Sequence, residues 1–214
     1  MINAILFDLD GTILDTLLDL HNAVNHSITK YGYKEVTIND TRGNIGNGIL
    51  NLIKRSINFD ESKIDLVFDE FKRYYKDNCN NYTKPYDGIY DVLDFIKSKN
   101  IKMGIITNKA KFATDILIDA HFKGYFDIVV ADGMGIEKKP SPDSINYCAN
   151  SLNVKVSDIV YIGDSDVDIK TVINSKCQGL FLSSGFRNKE DLLKLSDKIF
   201  DNQYELLEYL KKVL

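Results

Sequence analysis

Five segments of the chain, 2–7, 101–107, 126–131, 159–163 and 177–182, are almost wholly apolar and stop abruptly at polar residues. Short continuous apolar runs of this kind are expected of strands buried on both faces of a parallel sheet. Between them apolar residues recur at helical spacing, as in Ile89, Val92, Leu93 and Ile96 before the second strand and Ile145, Cys148, Ala149 and Leu152 before the fourth. Strand and helix therefore alternate, which predicts right-handed βαβ units and an α/β fold: a Rossmann-like parallel sheet with helices on both faces. A last strand near 198–200 and a helix over 203–210 would close it. One region breaks the rhythm. From Leu14 to about Thr83 the spacing is helical (Leu17, Leu20, Val24, Ile28; Ile49, Leu52, Ile53; Ile64, Val67, Phe68, Phe71) and no strand is convincing. A small helical domain over 14–83 is thus expected to interrupt an α/β core made of 1–13 and 84–214. The stretch Lys84-Pro85-Tyr86-Asp87-Gly88 would be the return linker, since Pro and Gly punctuate it.

Composition narrows the class. A chain of 214 residues lies between one and two domains of roughly 150 residues. Its 44% hydrophobic and 27% charged residues are those of a globular chain, which excludes disorder and fibrous repeats. Cys79, Cys148 and Cys177 are odd in number and lack CxxC pairing, so they read as reduced intracellular thiols. A net charge of −4 argues against a sequence-independent grip on nucleic acid. Any phosphate ligand would need local cations or a metal. No run approaches the ~18 apolar residues of a membrane span, and the opening run meets Asp8 too early for a secretion signal. The expectation is a cytoplasmic protein without membrane or nucleic-acid partners, a monomer or homodimer.

Candidate chemistry gathers at the strand ends, where open α/β sheets bind ligands. Asp8-Leu9-Asp10-Gly11-Thr12 follows the first strand, and on an extended backbone Asp8 and Asp10 point to one side. Two close carboxylates repel, and a hard divalent cation resolves the repulsion; the plainer reading is a solvated turn. Asp164-Ser165-Asp166-Val167-Asp168 follows the fourth strand, with Asp164 and Asp168 one helical turn apart if a helix starts there. A calcium loop is rejected, because Ile169 and Ser175 stand where Gly and Glu are required. Capping by Asp164 or Ser165 is compatible with either role. Thr107, ending the second strand, and the amide of Asn108, at an expected helix start, are placed to donate to phosphate oxygens. Lys139, ahead of Pro140, is either a fixed countercharge or a solvated loop lysine.

These four pieces, in this order, resemble the motifs of the haloacid dehalogenase superfamily: Asp8 to Thr12, Thr107-Asn108, Lys139-Pro140, and Gly163 to Asp168. Within it the chain is most similar to the phosphoglycolate phosphatase group, through Asp15-Thr16-Leu17-Leu18-Asp19-Leu20, Gly46-Asn47-Gly48, Pro85-Tyr86-Asp87-Gly88 and Thr107-Asn108-Lys109. It departs from the group in Thr16, where Ser is common, and Asp87, where Pro is common. The resemblance implies a Mg²⁺-dependent phosphatase of small phosphorylated metabolites, with a small helical cap inserted after the first strand. Asp8 would be the nucleophile, forming an aspartyl phosphate. Asp10 would be the acid and then the base. Mg²⁺ would be held by Asp8, the carbonyl of Asp10 and Asp164, with Asp168 supporting it through water or Lys139. Leu9, Asp10, Thr107, Asn108 and Lys139 would hold the phosphate.

The cap would choose the substrate, with Gly43, Gly46 and Gly48 letting its backbone approach the site mouth, and Arg42 and Lys109 as candidate partners of a substrate carboxylate. His21, His26 and His121 have no mutual spacing that suggests a metal site. Two other uses of the same site are a sugar-phosphate mutase, for which His21 is offset by one residue from the related cap histidine, and a pyrophosphatase. A phospho-receiver has no use for the insert or for Asp10.

Overall fold

The computed structural model of the protein describes residues 2–214. Its centre is strand β1 (Ala4–Phe7), every residue of which is buried. Alternate side chains serve opposite faces: Ile5 and Phe7 enter one apolar cluster, Ala4 and Leu6 the other. This is why the segment reads as a continuous apolar run rather than an alternating one. On one side β1 pairs with β4 (Lys102–Ala110), which pairs with β5 (Ile128–Asp132). On the other it pairs with β6 (Ile159–Gly163), followed by β7 (Gln178–Leu182) and β8 (Ile199–Phe200). All these pairs are parallel, giving the order β5-β4-β1-β6-β7-β8. The chain builds outward from β1 to β5, then crosses to the other side at β6. A crevice therefore opens beside the carboxyl end of β1.

The sheet is covered by α5 (Ile89–Ser98), α6 (Lys111–His121), α7 (Asp143–Leu152), α8 (Asp166–Ser175) and α10 (Gln203–Val213), with the short α9 (Lys189–Leu193) near its edge. The α/β reading of the sequence holds: the strand over 159–163 falls as expected, and the boundaries of the others are displaced by at most three residues. Among the described residues no helix is long and apolar enough to cross a membrane.

Between β1 and β4 lie α1 (Leu17–Lys30), α2 (Ile38–Asn44), α3 (Ile49–Ser56) and α4 (Ile64–Asn78). Their apolar stripes, including Val24, Ile28, Leu52, Ile53, Val67 and Phe71, are fully or almost fully buried. The expectation of no strand in this region is corrected in one place. Strand β2 (Leu14–Asp15) pairs antiparallel with β3 (Lys84–Pro85), so the helical insert leaves and returns through a two-stranded ribbon. Two-residue strands carry no periodicity, and only the pairing across the insert creates them. Asp19, buried in the first turn of α1, reinforces the junction by accepting from the backbone amides of Tyr82 and Thr83 and from the Thr83 hydroxyl.

Glu70 on α4 ties the insert together. Its nearly buried carboxylate meets Arg73, Lys30 and His26. Hydrogen bonds from Arg73 first, then from Lys30 and His26, outweigh partial burial and hold the carboxyl down at about 2. A depressed carboxyl stabilises the fold in full above its ordinary value near 4.5 and loses that effect as pH falls toward 2. Replacing Glu70 by Gln is therefore expected to cost about 1–2 kcal/mol at pH 7, less than a wholly buried pair because the cations are half exposed. Thermal unfolding should show a drop of about 2–8 °C at neutral pH that shrinks toward zero near pH 2.

Candidate active site

Four strand ends converge on the crevice. After β1 the chain turns tightly, with the amides of Ile13 and Leu14 both donating to the Leu9 carbonyl. Gly11 makes this turn possible at φ +84, and a Cβ there would fall 2.4 Å from an oxygen of Asp164. Gly185, after β7, closes on the same carboxylate, at 2.3 Å from a would-be Cβ. Asp164 thus lies in a slot that only backbone can line, accepting from Thr12 Oγ1 (3.0 Å) and from the Phe186 amide (2.8 Å).

Asp8 is anchored through its own amide, which donates to Ile162 of β6. Its Oδ1 accepts from the Leu9 amide (2.7 Å) and from Lys139 Nζ (2.8 Å). Lys139 also donates to Asp168 Oδ1 (2.7 Å) and to the Tyr161 hydroxyl (2.8 Å). The solvated-loop alternative for Lys139 is thereby excluded. Asp168 is fully buried, and its Oδ2 accepts from the Ser165 hydroxyl and from the amides of Ser165 and Asp164. Ser165 in turn caps α8 by accepting from the Asp168 amide. The cap is Ser165 alone; Asp164 precedes the helix rather than sharing its first turn with Asp168.

The second strand differs from expectation in a useful way. β4 runs on to Ala110, and its pairing with β5 shifts register between Ile106 and Ala110. Thr107, Asn108 and Lys109 occupy this irregularity, all buried, and α6 starts only at Lys111. Asn108 is therefore not at a helix start. Its side chain joins the parts: Oδ1 accepts from the Lys139 amide (2.9 Å), and Nδ2 donates to the carbonyls of Lys139 (3.0 Å) and Gly46 (3.1 Å). Bulged backbone of this kind re-aims side chains beside ligand sites.

Three acidic groups, Asp8, Asp164 and Asp168, offer ligand atoms within 4.8 Å of one another. Burial first, then the Asp168 charge, pushes the Asp8 carboxyl up to about 7, although Lys139 opposes the rise. Burial, Asp168 and Asp8 together raise Asp164 well above the usual carboxylate range. Asp168 goes the other way. Burial alone would raise it, but Lys139 and the Ser165 and Tyr161 hydroxyls outweigh burial and hold it low. The set has the chemistry of a hard divalent cation site: oxygen donors, more negative than Lys139 alone can balance, and destabilised as anions without further positive charge. The two donors to Asp8, the Leu9 amide and Lys139, both meet Oδ1, and Asp164 has one donor on each oxygen, whereas Asp168 has two on Oδ1 (Lys139, Tyr161) and three on Oδ2 (the Ser165 hydroxyl and the amides of Asp164 and Ser165).

Opposite this floor the insert contributes Leu20, Ile45, Ile49, Leu52 and Tyr75, and the loop after β7 contributes Phe186 and Arg187. Arg187 was not visible as a candidate in the sequence. It bridges Asp166 (3.2 Å) to the carbonyls of Ile45 (2.6 Å) and Arg42 (3.3 Å). Its one available signal is its place after an apolar strand, the rule that found the other motifs. Tyr161 was hidden inside an apolar run, although a buried phenol needs a polar partner. Arg42 is outside the crevice lining and meets Arg187 only through its backbone. Lys109 is paired with Asp10 Oδ1 (2.8 Å) and is not a free cation. His21 bonds Thr41 and Asn25, His26 stacks on Tyr74, and His121 meets Asn80.

A parallel sheet with an acidic crevice at its switch point and a helical insert after β1 defines a class of hydrolase. The family model described as haloacid dehalogenase-like hydrolase matches residues 5–181, and the chain belongs to that family. Its relatives of matching length include the phosphoglycolate phosphatases of Vibrio parahaemolyticus (32% identity, 97% of this chain and 95% of the relative) and Nitrosospira multiformis (29%, 99% and 96%). A crystal structure from Lactobacillus delbrueckii subsp. bulgaricus, named as a candidate phosphoglycolate phosphatase, superposes with a TM-score of 0.92 at 31% identity, covering 97% of each chain.

Because the Asp8 carboxyl is raised to about 7 and Asp164 is also raised well above the usual carboxylate range, a cation entering this site must displace protons at lower pH. Mg²⁺ affinity is expected to fall as pH drops below 7, by up to about tenfold per unit for each carboxyl that must ionise. Calorimetric titration of the protein with Mg²⁺ at pH 6, 7 and 8 checks this; an affinity independent of pH would contradict it.

Proposed function

We propose that the protein is a Mg²⁺-dependent phosphatase of small phosphate monoesters that works through an aspartyl phosphate on Asp8, with 2-phosphoglycolate the first substrate to test. The observation that carries the reading is the convergence of Asp8 and Asp10 after β1, Lys139 in the loop after β5 and Asp164 after β6 on one crevice. Mg²⁺ would be held by Asp8, the backbone carbonyl of Asp10 and Asp164, with Asp168 acting through Lys139 and the loop it bonds. When bound, the cation supplies positive charge against which the anionic nucleophile and the phosphate dianion can approach.

The chain's own residues do the rest. Asp8 attacks phosphorus; the P–O bond to the leaving group breaks, and Asp10 delivers a proton to the departing oxygen. Asp10 then takes a proton from water as the water attacks the aspartyl phosphate, releasing inorganic phosphate and restoring Asp8. Lys139, fixed by Asp168 and Tyr161, offsets charge on the transferring oxygens. The Thr107 hydroxyl and the amides of Leu9 and Asn108 complete the cradle.

Residues 14–83 act in this reading as a cap over a core of 1–13 and 84–214, and the contacts of Asn108 with Gly46 and of Arg187 with Ile45 support a cap seated on the core. Closure over substrate would exclude bulk water. Three buried free cysteines are in keeping with a reducing, cytoplasmic setting. No observation favours the mutase: His21 is committed to Thr41 and Asn25.

Asp8→Asn preserves shape and removes the nucleophile. Turnover of 2-phosphoglycolate with Mg²⁺ is expected to drop by roughly 10⁴-fold or more, and acid quenching of the unaltered enzyme should trap phosphate on the protein. Undiminished turnover in the variant would overturn the reading.

A further inference from the structure

The crevice contains a second buried ammonium for which phosphoryl transfer, as described, has no use. Lys109 Nζ lies 2.8 Å from Asp10 Oδ1 and 2.7 Å from the Tyr75 hydroxyl, with the Tyr75 ring centre 4.9 Å away. The Lys109 side chain is 2% exposed, and Tyr75, on α4 of the insert, is wholly buried. A lysine so far removed from water requires an anion and further acceptors. Asp10 supplies the anion; Tyr75 supplies an oxygen and a ring face. The same Asp10 Oδ1 also accepts from Thr16 Oγ1 (2.5 Å), immediately before α1. One oxygen of Asp10 is thus held from the core by Lys109 and from the root of the insert by Thr16, and Lys109 is itself held by the insert through Tyr75.

We propose that Lys109 is a positioning residue for Asp10 and that Tyr75 makes this positioning depend on how the helical insert is seated. The inference rests on the reading of Asp10 as acid and base. A carboxyl that transfers a proton must keep its reacting oxygen within hydrogen-bond reach of the leaving group. Pinning Oδ1 with two donors fixes the rotamer and with it the direction of the other oxygen. The pairing also distinguishes this role from recognition of a substrate carboxylate, for which Lys109 would have to abandon Asp10.

The test exploits the leaving group. An alkoxide needs a proton as it departs, whereas p-nitrophenolate leaves almost unaided. We would measure kcat/KM with Mg²⁺ on 2-phosphoglycolate, ethyl phosphate and p-nitrophenyl phosphate for Lys109→Met, Tyr75→Phe and Asp10→Asn. Lys109→Met is expected to lose about 10²-fold on both alkyl esters and less than about fivefold on the aryl ester. Tyr75→Phe, which removes a single oxygen and keeps the ring, should show the same pattern at about five- to tenfold, and it carries the test if Lys109→Met does not fold. Equal losses on all three esters would mean a merely structural role, and a loss confined to 2-phosphoglycolate would mean that Lys109 binds the substrate carboxylate; either overturns the proposal. Asp10→Asn separates the two layers: if it shows the leaving-group pattern and the Lys109 and Tyr75 variants do not, positioning alone fails. If Asp10→Asn lacks the pattern, the acid reading fails and the positioning falls with it.

Discussion

Lys139 Nζ lies 2.8 Å from Asp8 and 2.7 Å from Asp168, with all three side chains largely or wholly removed from water. The arrangement of the crevice depends on this shared cation. Leaving either carboxylate without it would cost about 3–5 kcal/mol, the penalty typical of a broken buried pair. The site is consequently over-determined: Tyr161 holds Lys139 from inside the sheet, Asn108 holds the Lys139 backbone, and Ser165 holds Asp168. Even so, Lys139 balances only part of the charge, and burial together with the neighbouring Asp168 carboxylate pushes Asp8 and Asp164 up. Three buried carboxylates facing one lysine are the donor set suited to a hard divalent cation.

A second group of contacts ties the helical insert to this floor. Gly46 and Ile45 offer backbone carbonyls to Asn108 and Arg187, while Tyr75 meets Lys109. Each contact involves a core residue that also touches the charged cluster or its flanks: Asn108 bonds Lys139, Arg187 bonds Asp166, and Lys109 bonds Asp10. Position of the insert and geometry of the acids are therefore parts of one network. The residues that the insert adds, among them Leu20, Ile49 and Leu52, make the roof of the crevice largely apolar. An apolar roof lowers the local dielectric and so strengthens the charge interactions beneath it.

The α/β class, the helical insert and three of the four motifs were legible in the sequence because each rests on a local signal. Doubly buried strands must be apolar throughout, helices must carry an apolar stripe, and acids or hydroxyls that interrupt an apolar run mark strand ends. Asp8, Thr107 and Asp164 stand at such strand ends, whereas Lys139, in a polar turn ahead of Pro140, stood out only through the resemblance of the four motifs, in their order, to the family. The ribbon of Leu14–Asp15 with Lys84–Pro85 could not, since its partners are separated by the whole insert and two residues show no period.

What the sequence determined by itself is the inventory: which residues can be buried, where strands end, and that acids collect at two of those ends. Only the tertiary structure decided their pairing. Lys109 and Arg42 both read as candidate partners of a substrate carboxylate, yet packing gave Lys109 to Asp10 and Tyr75, and assigned the bridging role to Arg187. The physical reason is that a charge in water is indifferent to its neighbours, whereas a charge taken into the crevice must find a partner. Which partner it finds depends on residues such as Asp10 and Tyr75, brought together only when β1, β4 and α4 pack around the same point.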